Sequence, residues 1–458
     1  MLTRWQVAMR GAIRFAQATL TLMAFTGIVV AQAADGEKPN PSAPEATERA
    51  NPQPIVMSHF RPHDARGLNV FEPPKIEGVA YNGFQLVWGA AFTQQFQALD
   101  HENAATPVIV SGVNTNQLIN VGSGFNNANA NLFLDAQVGR GLRVALTTYL
   151  SSRHHPEAWA KDGYLLVDGS PWENETLDQL MKYLTLRIGH FEINYGDMHY
   201  RRSDNGQTIY NPLVGNLLMD AFTTEVGGEA YVRKGDLLGM IAVTGGEVRG
   251  QTLRPEARAP SVIAKLGFDR EVNDDTRVRL TGSLYTTKRS INNTLYTGSR
   301  AGSRYYYVLQ NTAATEAAQA WSGDVPPGFR DKVTAWVVNP FVRYRGLELF
   351  GNIEQAKGRN SNETVERKFT QFMGEGLYRM LDNRVYVAAR YNTVKGRLAG
   401  MTSDVSVDRI SAGGGLFLTP NMLMKLEYVQ QKHKDYPANN ILHDGKFDGF
   451  VVEAALSF

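Results

Sequence analysis

Residues 450–458 read Phe-Val-Val-Glu-Ala-Ala-Leu-Ser-Phe. Phe450, Val452, Ala454, Leu456 and Phe458 fall on one side of an extended chain; Val451, Glu453, Ala455 and Ser457 fall on the other. A period of two ending on an aromatic suits a strand with lipid on one face and water on the other. Soluble strands also alternate, so the weight lies in repetition. The spacing predicts strands near 84–97, 130–138, 142–153, 182–189, 191–197, 223–233, 237–248, 261–271, 277–289, 333–345, 347–358, 366–380, 384–396, 405–418, 423–434 and 446–458.

The connections alternate in length. Gly139-Arg140-Gly141, Lys234-Gly235-Asp236, Asn273-Asp274-Asp275, Arg345-Gly346, Leu381-Asp382-Asn383 and Pro420-Asn421 are short and rich in turn residues. Longer polar insertions lie between them, the largest near 290–332. Such sidedness predicts an all-β transmembrane antiparallel barrel of about 16 strands, with short periplasmic turns and long extracellular loops. An even number returns both barrel ends to the short-turn side. The pair meeting at Gly189-His190-Phe191 is the least secure, and without it the number falls to fourteen.

The start of the chain agrees with export. Arg4, Arg10 and Arg14 precede the largely apolar Phe15–Val30, and Ala31-Gln32-Ala33 fits a small-x-small cleavage site, so 1–33 reads as a signal peptide with Ala34 following. The chain has 47 Lys+Arg and 45 Asp+Glu; the signal holds three Arg and no acid, leaving 44 against 45. That balance provides no broad field for nucleic acid. Cysteine is absent, so disulfides cannot hold an exported fold together, whereas a closed backbone ladder can. Residues 34–83 read as a periplasmic extension before the barrel domain 84–458. Within it, 35–54 has the composition of a linker, and 55–83 is either a tether below the barrel or a segment folding into its mouth.

On the strands, apolar residues alternate with charged ones. Leu142, Val144 and Leu146 face away from Arg143 and Thr147; Val278, Leu280 and Leu284 face away from Arg277, Arg279 and Ser283. The apolar face would meet outer-membrane lipid and lipopolysaccharide, and a charged inner face of about sixteen strands argues for a water-filled pore. Inward cations are expected at Arg143, Arg187, Arg233, Lys265, Arg277, Arg279, Arg343, Arg345, Arg379, Arg384, Arg390, Arg409 and Lys425. Inward acids are expected at Asp135, Glu225, Glu229, Asp269, Glu348, Glu354, Glu375, Glu427 and Glu453. Thirteen against nine suggests a weak anion preference.

Together these features resemble the Gram-negative outer-membrane porin superfamily. Leu186-Arg187-Ile188-Gly189-His190-Phe191 followed by Tyr195-Gly196 is similar to the hairpin of phosphate-selective porin-like channels. The resemblance implies a homotrimeric diffusion channel for small hydrophilic solutes or anions, located in the outer membrane, with no cofactor. It also implies that the loop after the fifth strand, here 198–222, folds inward as the constriction. His199, Arg201, Arg202, Asp204 and Asn205 crowd the start of that loop. Opposed charges there would create a transverse field; a solvated external loop is the alternative.

Other constellations carry less. His154-His155-Pro156-Glu157 holds metal-ligand types, but adjacent histidines point opposite ways on an extended chain, and a solvated loop accounts for them. Trp159, Tyr164 and Trp172 would pack that loop, read as 154–181. Asp274-Asp275 reads as a turn. No G-x-S-x-G, P-loop or H-E-x-x-H occurs. A barrel hydrolase or a substrate-specific exporter remains the competing expectation.

Overall fold

The computed structural model describes residues 61, 64–72, 75, 81–126, 128–151, 158–202, 205–218, 222–246, 258–297, 304–315 and 321–458. The signal peptide, the linker 35–54 and His154 to Glu157 lie outside them.

Sixteen antiparallel strands close into one barrel. They are β1 (Gln85–Glu102), β2 (Asn129–Gly139), β3 (Leu142–Ser151), β4 (Ala158–Val167), β5 (Leu184–Glu192), β6 (Thr224–Lys234), β7 (Leu237–Thr244) and β8 (Ser261–Asn273). There follow β9 (Thr276–Thr287), β10 (Lys332–Tyr344), β11 (Leu347–Arg359), β12 (Arg367–Met380), β13 (Val385–Gly396), β14 (Val405–Thr419), β15 (Met422–Lys434) and β16 (Lys446–Ser457). Each pairs with its sequence neighbour. The 18-residue β1 closes the ring by pairing with β2 over Gln85–Thr93 and with β16 over Ala91–Glu102. The two-residue strand Gly124–Phe125 also pairs with β1.

The period-two pattern sets the faces. Along β11, Leu349 and Ile353 are exposed on the outer surface, while Glu348, Phe350, Asn352 and Glu354 are buried inside. On β16, Val451, Glu453, Ala455 and Ser457 are the buried set. Leu266, Leu280, Phe372, Ile410 and Leu426 continue the exposed apolar belt. An apolar belt on a closed barrel is stable in lipid because no backbone group is left unpaired at an edge.

The strand number agrees with the sequence reading, but two elements do not. No separate strand begins at 191: β5 runs without a turn through Gly189 and ends at Glu192, and 193–197 belong to no strand. Gly189 has φ +136, and a Cβ there would lie 2.7 Å from the Gly163 carbonyl oxygen and 2.9 Å from Tyr164 Cα. This glycine therefore permits close backbone approach within a strand and does not mark a turn. Conversely, β4 lies inside the stretch read as a loop, and Trp159 and Tyr164 are strand residues. The β3–β4 register pairs Thr147 with Asp162 and Thr148 with Ala160, skipping Lys161. That bulge interrupts the period and hid the strand. The two errors cancel in the total.

The short connections all lie at one end. The one long connection at that end is β4–β5, which carries the helix α1 (Glu175–Met181), capped by Asn174 Oδ1 accepting from Leu177 N at 3.0 Å.

Candidate pore constriction

In the β5–β6 loop, the described residues 193–202, 205–218 and 222–223 fold into the barrel. Its apolar residues require cover: Leu213, Val214, Leu217 and Leu218 are buried, as are Ile193 and Tyr195. Gly196, at φ +71, turns the chain inward at a point where a Cβ would lie 3.0 Å from Val337 Cγ1. Pro340, in mid-β10, lacks an N–H and interrupts the β10–β11 ladder. Beside it, Asn339 Nδ2 donates to the Gly351 carbonyl at 3.1 Å, and its Oδ1 accepts from Asp197 N at 2.8 Å. A gap in the sheet thus becomes an anchor for the loop.

Asp197 is buried and sits 2.8 Å from both Lys265 Nζ and Arg279 Nη2. Burial pushes its carboxyl up, but Arg279 and Lys265 outweigh this and hold it below the usual carboxylate range. Arg201 reaches the opposite wall: Nη1 donates to Glu375 Oε1 at 2.7 Å, and the guanidinium lies 4.1 Å from the Phe350 ring centre. Burial lowers the Arg201 pKa and Glu375 opposes that shift. Asn211 and Asn216 donate to the Arg201 carbonyl at 3.0 and 2.9 Å. Arg390 bonds Glu375 and Asn211 Oδ1. Lys425 donates to the carbonyls of Thr208, Asn211 and Leu213 at 3.0, 3.1 and 3.1 Å and pairs with Glu453. Glu427 accepts from Val214 N at 2.7 Å and from Tyr305 OH at 2.6 Å. Tyr305 belongs to the β9–β10 loop, whose Val325 N donates to the Leu217 carbonyl at 2.8 Å.

His199 and Arg202 point elsewhere. His199 Nδ1 and Arg202 Nε are 3.3 and 3.6 Å from Glu192 Oε1, and Lys161 Nζ is 3.5 Å from the other oxygen. Burial pushes His199 down to about 4 against the pull of Glu192, so the imidazole is neutral at physiological pH. Asn205 opens the 3-10 turn Asn205–Tyr210; Asp204 lies outside the described residues. The loop runs from 193, not 198, because β5 stops earlier than its pattern suggests.

A second segment enters from the short-turn end. Leu68, Asn69, Phe71 and Glu72 are all buried inside the barrel. Glu72 lies 2.5 Å from Arg279 Nη2 and 2.7 Å from Lys265 Nζ. Burial pushes its carboxyl up, and those two cations pull it well below its ordinary range.

Most of the wall residues expected to face inward are buried in the barrel interior, but as paired groups rather than a free ladder. Arg143 bonds Asp168 at 2.8 Å, Arg187 lies 2.6 Å from Glu229, and Arg233 lies 3.9 Å from Asp269. Arg343 pairs with Glu271, Arg379 with Glu348, and Arg409 with Gln431 and the Asn216 carbonyl. Glu225 accepts from Tyr285 OH at 2.6 Å, and Glu354 from Tyr296 OH. Arg345 and Arg384 are exposed at the short-turn rim. A charged inner face does not here mean a wholly wet one: along β8–β16 the inward side chains hold the loops. Partial exposure persists at Phe133, Asp135, Thr147, Asp162, Tyr164 and Arg187, all on β2–β5. The loop is anchored most densely on β8–β16 and also touches β3 and β4, where Phe222 lies 6.2 Å from the Tyr149 ring and 4.6 Å from Lys161 Nζ.

The chain matches no protein-family model and no curated protein. Among solved structures, the anion-selective porin from Comamonas acidovorans aligns with a TM-score of 0.50 at 10% identity, over 82% of this chain and 100% of that one. The outer membrane channel DcaP of Acinetobacter baumannii aligns at 0.47 and 11%, over 83% and 99%. In-vitro folded OmpT of Vibrio cholerae, in a trimer form, aligns at 0.48 and 11%, over 82% and 100%. At such identities the likeness is one of fold.

Proposed function

We propose that this chain is an outer-membrane porin that lets small hydrophilic solutes and ions diffuse passively, without covalent chemistry. The observation that carries this reading is the pairing of a closed barrel, apolar outside, with a loop stapled inside it at 193–223. Export by a cleaved signal at 1–33 and assembly as a homotrimer belong to the same proposal. Purified protein in a planar bilayer should give discrete, stable open-channel steps; a folded barrel that is silent and cleaves lipid or peptide would replace it with the hydrolase reading.

The weak anion preference expected from thirteen cations and nine acids needs those charges to be available, and most are committed to ion pairs. We place the route along β2–β5, with His199 and Arg202 on the loop side and Asp135 and Asp162 on the wall. Arg201 and Asn205 belong to the loop's frame. A unit charge acts on an ion ~4 Å away with about 1 kcal/mol even in water, about five-fold in local concentration. Asp135→Asn with Asp162→Asn should therefore shift the reversal potential in a salt gradient toward anions. An unchanged potential would move the filter away from this strip.

A further inference from the structure

Where β11, β12 and β13 reach the long-loop end, their outward face changes from apolar to cationic. Lys357 follows Ile353 and Gln355 along β11, and Lys368 precedes Thr370 and Phe372 along β12. The register sets Lys357 directly opposite Lys368, and Lys395 of β13 opposite Thr370, one outward position farther down. All three lysines are exposed. Directly opposed residues on one face of a sheet stand about 5 Å apart at Cβ, and like charges so placed repel.

Nearby carboxylates do not settle that repulsion. Glu366 is shared: Lys332 Nζ lies 2.5 Å from one oxygen and Lys357 Nζ 3.3 Å from the other. Asp404 is taken by Arg397 at 3.2 Å. Among the described residues, the side chains of Lys368 and Lys395 have no ion pair. Farther round the rim, Lys434 pairs with Asp408 and Lys446 with Glu102, and Lys432 stands opposite Asp408. The excess of cations is therefore concentrated on β11–β13.

Below these lysines, on the same outward face, runs a groove of about 280 Å³ lined by Trp336, Ile353, Gln355, Phe372, Thr393 and Lys395. Trp336, Ile353 and Phe372 are exposed there. The Gln355 side chain makes no hydrogen bond among the described residues. An apolar slot topped by cations is the complement of an acyl chain topped by a phosphate. A phosphate between Lys357 and Lys368 replaces their repulsion with charge-assisted hydrogen bonds. A free phosphate would leave the groove empty, so the occupant that fits both parts is a lipid.

We propose that the outward face of β11–β13 at the long-loop end is a binding site for a phosphorylated lipid, its phosphate on Lys357, Lys368 and Lys395 and an acyl chain in the Trp336–Phe372 groove. The proposal rests on the outer-membrane reading for the leaflet concerned, the outer one, and does not depend on conduction.

The test is native mass spectrometry of the full chain in detergent, titrated with diphosphoryl lipid A and with the same lipid stripped of its phosphates. Wild type should hold the first far more tightly than the second. Lys357→Gln, Lys368→Gln and Lys395→Gln together should weaken binding on the order of a hundred-fold, since each basic residue beside an anionic lipid surface contributes about five-fold. Phe372→Ala, which removes one wall of the groove and keeps every charge, should weaken it about ten-fold. Lys182→Gln, Lys234→Gln and Arg270→Gln, exposed residues of the short-turn end, remove equal charge and should leave binding unchanged. Heat-modifiable gel mobility reports the folding of each variant, and single-channel recording reads the pore separately. Wild-type affinity in the first triple variant or in Phe372→Ala, or an equal loss in the second triple variant, would overturn the site. So would equal binding of the two lipids by wild type, or a changed subunit number with lipid binding intact, which would assign the face to contact between copies. Silent channels with this binding pattern preserved would overturn the pore and still support the site.

Discussion

Replacing Lys425 by Met is expected to destabilise the barrel by about 3–5 kcal/mol, the usual consequence of leaving a buried charge without its partner. Lys425 and Glu453 face each other with almost no exposure on either side. The ammonium also gathers three carbonyls of the inward loop. Met fills similar volume but satisfies none of these acceptors. Adding Glu453→Gln removes the stranded charge and keeps a partner for Gln95, which bonds Glu453 in the native chain. Urea unfolding in lipid vesicles should show the double variant more stable than the sum of the singles, with a coupling of about 1–3 kcal/mol. Strict additivity would mean that the pair contributes nothing beyond its separate parts, and the loop must then be seated by other contacts.

The second large effect concerns Arg201 and Arg202, adjacent residues with different surroundings. Arg201→Ala removes a guanidinium bonded to Glu375 and Asn69 and lying against Phe350. Glu375 keeps Arg390, so the cost should be that of lost charged hydrogen bonds, about 1.5–3 kcal/mol. A loosened loop should give a noisier open channel with an unchanged reversal potential. Arg202→Ala, on the Glu192 side, should instead move the reversal potential toward cations while the current stays quiet. If Arg201→Ala shifts selectivity and leaves stability and noise alone, Arg201 faces the permeating ion and is not a staple.

The sequence disclosed the barrel through its outer face, because lipid imposes one rule on every strand: alternate residues must be apolar. Hairpins such as the one around Lys234-Gly235-Asp236 were legible for that reason. The rule fails where the backbone departs from regularity. The bulge at Lys161 concealed β4, and Gly189 imitated a turn within β5. The interior was less readable. Which of the inward arginines are committed to carboxylates depends on side chains hundreds of residues apart, as with Arg279 and Glu72. The buried end of the extension was hidden too: Leu68 and Phe71 sit in a stretch with no period, and its order comes from pockets on β10–β13 and not from a local pattern.

The pairing of β1 with β16 sets a condition on biogenesis. Ala91 stands opposite Ser457, so the final seam joins positions separated by most of the polypeptide. Contacts of such long sequence separation form late and slowly. Until then the nascent sheet carries two raw margins able to template misassembly. Delivery to the bilayer therefore has to keep these margins apart from other chains until the last strand arrives, which makes sealing the kinetically exposed step in the life of this molecule.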